Sequence, residues 1–126
     1  MIDYDLVDPD VVKSLKTLGA LKVKTIIECE FYQNTKDPVL IKGTERLGRL
    51  LLTRDKGTIT RYKYKPCTHG GIIVIKAKHP TPQEVFRRVK ALCRSGHKAM
   101  AVNHVTYLWE DKGTIYTHKE PITFSI

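Results

Sequence analysis

Four side chains of this sequence could together hold a metal ion: Cys67, His69, Cys93 and His97. Two thiolates and two imidazoles form an acceptable tetrahedral zinc set. Cys67 and His69 lie just before the strand–helix unit Gly71 to Lys98, and Cys93 and His97 lie at the end of its helix. A strand of about seven residues advances roughly 23 Å. A helix of about fourteen residues returns roughly 21 Å, which brings both pairs to one end of the domain. Against zinc, Cys-x-His is not a common zinc spacing, and Cys93 fits a buried helical stripe as an ordinary small apolar residue. Packing is the favoured role, so no cofactor is assigned and zinc is kept as the alternative.

A second chemistry is phosphate neutralisation. Arg61, Lys63 and Lys65 alternate, and on an extended strand they would share one face. Arg54 and Lys56 stand at the near end of the same segment, and Arg87, Arg88, Lys90 and Arg94 follow on a helix. Rows of cations can neutralise several phosphates at once and release counterions. Tyr62 and Tyr64 would point away from the ladder, as core residues rather than stacking platforms. Tyr107, Trp109 and Tyr116 carry the same two readings.

Charge placement supports this choice. The net charge is +9, and residues 54–98 hold twelve Lys/Arg against two acids, while the remainder holds ten against eleven. The whole excess sits in one block, which suits a nucleic acid, an anionic ligand or an acidic protein surface. Catalytic signatures are weaker. No two histidines lie two residues apart, and neither phosphate-cradling glycine motif occurs. Glu110-Asp111-Lys112 has the Glu-x-Lys form of metal-dependent nucleases, but turn chemistry explains it equally well. Nothing in the sequence orients His97 toward Cys93 as a base.

The elements that must position these residues are partly legible. Ile72-Ile73-Val74-Ile75 is an uncharged β-branched run, followed by Thr81 as N-cap, Pro82 at the first helical turn and Glu84 as in a capping box. That helix stops at Gly96. Asp8 and Pro9 start an earlier helix that stops at Gly19, and its stripe Val11, Val12, Leu15, Leu18 matches Val85, Phe86, Val89, Leu92 at a shift of 74. Ile2 to Val7 reads as an edge strand, Leu21 to Tyr32 as a long half-buried strand and Val39 to Lys42 as a brief one. Leu50–Arg54 and Thr58–Lys65 read as a hairpin about Asp55-Lys56-Gly57. Lys98 to Trp109 reads as a long strand, turned by Glu110-Asp111-Lys112-Gly113 into Thr114 to His118, with a last strand at Ile122 to Phe124.

The pentapeptide 55–59 recurs letter for letter at 111–115, within the same order of elements. The chain therefore reads as a single domain, 1–126, with pseudo-repeats 1–65 and 71–126, the first carrying an insertion of 21 residues around Gln33 to Arg49. Two βαββ units predict an α+β, two-layer fold: a mainly antiparallel sheet with two helices on one face, ferredoxin-like or Alba-like. The second half, with Ile73-Val74-Ile75-Lys76-Ala77-Lys78 entering a helix, resembles the Alba-type nucleic-acid-binding proteins of archaea. Two Asn, two Gln and three Ser beside 22 Lys+Arg resemble in composition the small proteins of hyperthermophilic archaea and their viruses.

Three cysteines without a CxxC spacing predict an intracellular, cytoplasmic protein. No apolar run of about 18 residues is present to cross a membrane. The expectation is a non-enzymatic basic protein, a homodimer, that holds DNA or RNA non-specifically. The alternatives are a homo-oligomeric assembly protein without nucleic acid and a metal-dependent nuclease-like enzyme.

Overall fold

The computed structural model describes residues 1–19, 22–54 and 57–126, with only the backbone at position 58. The chain is α+β. Three α-helices, α1 (Pro9–Lys16), α2 (Asp37–Leu47) and α3 (Pro82–Arg94), accompany five strands. These are β1 (Leu51–Arg54), β2 (Ile72–Ile75), β3 (Val105–Leu108), β4 (Lys112–Tyr116) and β5 (Ile122–Ser125). They form one sheet in the order β1-β2-β3-β4-β5. The pairs β1–β2 and β2–β3 are parallel, whereas β3–β4 and β4–β5 are antiparallel. The sheet is thus mixed rather than mainly antiparallel.

Both faces of the sheet are buried. Leu52, Ile73, Ile75, Leu108 and Ile115 share one core with Val11 and Leu15 of α1 and Val85, Val89 and Leu92 of α3. The alternate residues Leu51, Ile72, Val74 and Val105 share a second core with Leu40 and Ile41 of α2 and with Ile26 and Ile59. Burial on both sides is why β2 is continuously apolar, as parallel strands usually are. The two helices read from sequence do share one face. The expected two-layer packing is replaced because α2, unforeseen, covers the other.

The helix signals act as expected. The Thr81 hydroxyl accepts from the Glu84 amide at 3.2 Å, and the Asp8 carboxylate accepts from the Asp10 amide at 2.7 Å. Gly19 and Gly96 follow at positive φ. Four strand expectations fail, each for a local reason. At the first, Asp3 caps a 3₁₀ turn at Tyr4–Leu6, so the edge strand shrinks to Ile2, which bridges Thr25 and Leu52 in parallel. In 22–32, Leu21 lying outside the described residues, the Thr25 hydroxyl accepts from the Glu28 amide while the Glu28 carboxylate accepts from the Thr25 amide. This reciprocal cap turns the chain at Ile26 and ends extended structure there. Val39 to Lys42 lies inside α2, where Pro38 occupies the first turn and Gly48 closes the helix at φ 62°. In 98–109, a 3₁₀ turn at Lys98–Ala101 and Asn103 at positive φ leave only β3.

The first hairpin is also replaced. Asp55 and Lys56 lie outside the described residues, and Gly57–Tyr64 is a 3₁₀ helix. A hairpin partner for β1 would meet competition on both sides, since β2 pairs along one and Ile2 bridges Leu52 on the other. The second copy does form a hairpin, but a tighter one than read: Glu110 and Asp111 make the turn, and Lys112 and Gly113 already belong to β4, with Leu108 opposite Gly113. The two halves are therefore not equivalent βαββ units.

Candidate nucleic-acid interface

The pleat determines which side chains meet. Ile75 of β2 lies opposite Leu108 of β3, and the Lys76 amide donates to the Leu108 carbonyl at 3.0 Å. Continuing that register by one residue places Lys76 beside Trp109. Since side chains alternate, Lys76, Tyr107 and Trp109 extend from the face that α2 covers toward the C-terminal ends of the parallel strands, and Tyr116, opposite Val105, joins the same face from β4. This face is apolar where α2 packs and aromatic and cationic around Tyr107.

Tyr107 is the buried centre of the cluster. The Tyr116 ring meets it edge-on at 5.4 Å, and Trp109 lies tilted at 5.9 Å. Lys76 Nζ sits 5.1 Å from the Tyr107 ring centre and 5.2 Å from that of Trp109. From the 3₁₀ helix, Lys63 Nζ reaches within 4.7 Å of Tyr116, 5.0 Å of Tyr107 and 5.8 Å of Tyr64. Each such contact contributes about 0.5–2 kcal/mol, rising with desolvation. Tyr64 is 78% exposed.

The sequence-derived cations divide between the two sides of the sheet. A 3₁₀ helix repeats every three residues, so Arg61, Lys63 and Lys65 do not form a ladder. Arg61 instead covers the Tyr62 ring at 5.1 Å, Lys63 turns onto the aromatic cluster, and Lys65 is exposed. Arg87, Arg88, Lys90 and Arg94 belong to α3 on the opposite face. Arg88 is buried and donates to Glu84 at 3.0 Å and to the Leu108 carbonyl at 3.1 Å, so it ties the helix to the sheet rather than awaiting a phosphate. Arg87 donates twice to Glu84, at 3.1 and 2.9 Å, and once to the Glu110 carbonyl at 2.7 Å. These Arg87 bonds, supported by Arg88 and opposed by burial, hold the Glu84 carboxyl below its usual range. Lys90 lies over Phe86 at 5.4 Å, and Arg94 is exposed. Arg54 contacts Asp5 at 3.3 Å and the Lys78 carbonyl at 2.8 Å. Lys56 is outside the described residues.

Lys76 was not among the sequence candidates. The signal for it is the alternation Ile72, Val74, Lys76 in register with Val105, Tyr107, Trp109, which needs the parallel pairing to be known.

The proposed zinc residues are not gathered into one site. Cys93 packs against the α1–α3 core, and His97 lies beside Phe124 at 6.4 Å. His69 meets Tyr62 edge-on at 5.9 Å, and Tyr62 packs against the α2 core; Cys67 is exposed. The sheet thus stands between the two halves of the set, because α3 crosses the face opposite α2. Among the described residues, no group of three His, Cys, Asp or Glu side chains is placed to hold a metal. Burial pushes the Cys93 thiol up, with Lys98 pulling the other way. That direction is opposite to an activated nucleophile.

Buried His69 has no hydrogen-bond partner at either ring nitrogen among the described residues. Burial, and then nearby His104, lower its pKa from the ordinary 6.5, against smaller opposing effects of the Tyr62 backbone and Glu45. The native state therefore binds fewer protons here than the unfolded chain. Its stability contribution is present above pH 6.5 and falls as the pH drops from there through the folded value. Denaturant unfolding at stepped pH is expected to show this loss in the wild type and a flatter profile in His69→Leu. An unchanged slope in His69→Leu would assign the acid sensitivity to other groups.

Among the described residues, no helix is long and apolar enough to cross a membrane. No protein-family model, curated protein or solved structure matches the chain.

Proposed function

We propose that the chain binds single-stranded DNA or RNA without sequence preference, on the face carrying Lys63, Lys76, Tyr64, Trp109 and Tyr116. The observation that carries this reading is the interleaving of two lysines with four aromatic rings, Tyr107 and its neighbours Tyr64, Trp109 and Tyr116. Single-strand binders combine a cationic track for the backbone with rings on which bases stack. The exposed Tyr64 ring offers such a surface, while Lys63 and Lys76 neutralise phosphates beside it. Arg61 on the same 3₁₀ helix and Lys65 just after it add two further cations. Duplex would be disfavoured, since paired bases cannot reach the rings.

The test is a fluorescence-anisotropy titration with a labelled oligonucleotide of about 12 nucleotides, single- and double-stranded. Four cations contacting phosphate give a slope of log affinity against log salt of roughly −2 to −3, a loss of roughly 15- to 60-fold between 50 and 200 mM. No binding of either form at low salt overturns the assignment.

A homodimer is the second reading, favoured by β5. Its outer edge has no strand partner among the described residues, and Ile122–Ser125 carries no charge to discourage pairing with another strand. Sedimentation after nuclease treatment tests it, with a persistent dimer expected.

A further inference from the structure

On the opposite side of the sheet, a cavity of about 500 Å³ runs between α1 and α3 down to the strands. Leu15 and Val89 form its helical walls, and Leu52 and Ile73 its floor. Residual exposure in the strands follows the pleat: Leu52 and Ile73 retain 7% and 6%, whereas Leu51 and Ile72, pointing the other way, retain none. The cavity therefore reaches the sheet itself. An apolar path continues outward, since Val102 at the rim is 49% exposed.

The charges at this cavity have one sign. Among the described residues, Lys22, Lys24, Arg49 and Lys98 line it and no aspartate or glutamate does. Arg49 is held in place, its Nη1 donating to the Lys22 carbonyl at 3.1 Å. That bond uses one of the five guanidinium N–H donors, and the fork geometry suits a carboxylate. The volume lies within the range of small-molecule sites, roughly 300–1,000 Å³. An apolar floor beneath an all-cationic rim is complementary to a molecule with one apolar tail and one anionic head.

We propose that this cavity binds a free single-chain carboxylate amphiphile of the fatty-acid class, its tail against Leu52, Ile73, Leu15 and Val89 and its carboxylate on Arg49 with the rim lysines. The site lies across the sheet from the aromatic cluster and is independent of nucleic-acid binding.

Calorimetric titration of the full chain with dodecanoate, below its micelle concentration, and with dodecanol tests the proposal. Saturable one-to-one binding of dodecanoate is expected, about tenfold or more tighter than dodecanol, as a charge-assisted pair requires. Arg49→Gln is expected to remove most of that preference while leaving dodecanol unchanged. Val102→Glu, at an exposed position that does not endanger folding, adds a like charge at the rim and should weaken dodecanoate selectively. No saturable dodecanoate binding overturns the proposal, as does equal affinity for the alcohol or a preference that survives Arg49→Gln. Binding to anionic phospholipid vesicles without binding of free dodecanoate also overturns it, in favour of a membrane-surface contact. Lys63→Glu with Lys76→Glu should leave dodecanoate affinity unchanged, which separates this outcome from failure of the nucleic-acid reading.

Discussion

Substitution of Gly71 by alanine is expected to destabilise the fold by about 3 kcal/mol or more, through backbone strain and overpacking together. Gly71 has φ +128°, a conformation closed to side chains, and an added Cβ would lie 2.6 Å from the Ala101 carbonyl oxygen. The Leu50 side chain is also in the way. Neither can retreat without cost. Gly71 O accepts from the Leu51 amide at 3.0 Å, and Gly70 O accepts from the Asn103 amide at 3.0 Å. These bonds hold the start of β2 between β1 and the loop before β3. Denaturant unfolding should show the loss, with Gly57→Ala as control because no described residue lies within 4 Å of a Cβ there. Equal stability of the two variants would refute this account of the β2 entrance.

The second large effect concerns binding. Lys63→Glu combined with Lys76→Glu is expected to weaken single-strand affinity about 100-fold at low salt. It should also lower the magnitude of the salt slope by about 1.4, corresponding to two phosphates. Tyr64→Ala should cost about 1–3 kcal/mol, the range for loss of one stacked base, with the salt slope unchanged. Arg87→Gln and Arg94→Gln, on the other side of the sheet, should stay within about twofold, since one distant surface charge adds little once salt screens it. Circular dichroism of each variant guards against unfolding. If the α3 variants weaken binding as much as the Lys63/Lys76 pair, the interface is not on the aromatic face.

These contrasts also show what could be read without coordinates. Helices α1 and α3 were legible because Asp8-Pro9, Thr81-Pro82, Gly19 and Gly96 signal their ends locally. β2 and the turn at Glu110-Asp111 were legible for the same kind of reason. α2 was not, because Val39-Leu40-Ile41 is a contiguous apolar run without helical spacing, and its cap residue Lys36 makes no side-chain bond. The segment 57–64 alternates like a strand, yet both sides of β1 are occupied by distant parts of the chain. No local pattern reports such competition. The aromatic cluster was half visible: its rings stand out in the sequence, but their lysines arrive through a parallel register and a 3₁₀ crossover.

The bridging of Ile2 to both Thr25 and Leu52 bears on the order in which the molecule assembles. β3, β4 and β5 meet across short turns, so their loops close at little entropic cost. β1 must find β2 twenty-one residues away, and Ile2 must find Leu52 fifty residues away. Long-range contacts of this kind slow folding. The C-terminal meander with α3 is therefore the natural nucleus, and the segment around Ile2 docks last and opens first. The Asp3–Thr53 side-chain hydrogen bond, at 2.7 Å, closes only at that final step. Pulsed hydrogen exchange should find the Ile115 amide protected before those of Ile2 and Ile26, and the reverse order would refute this sequence of events.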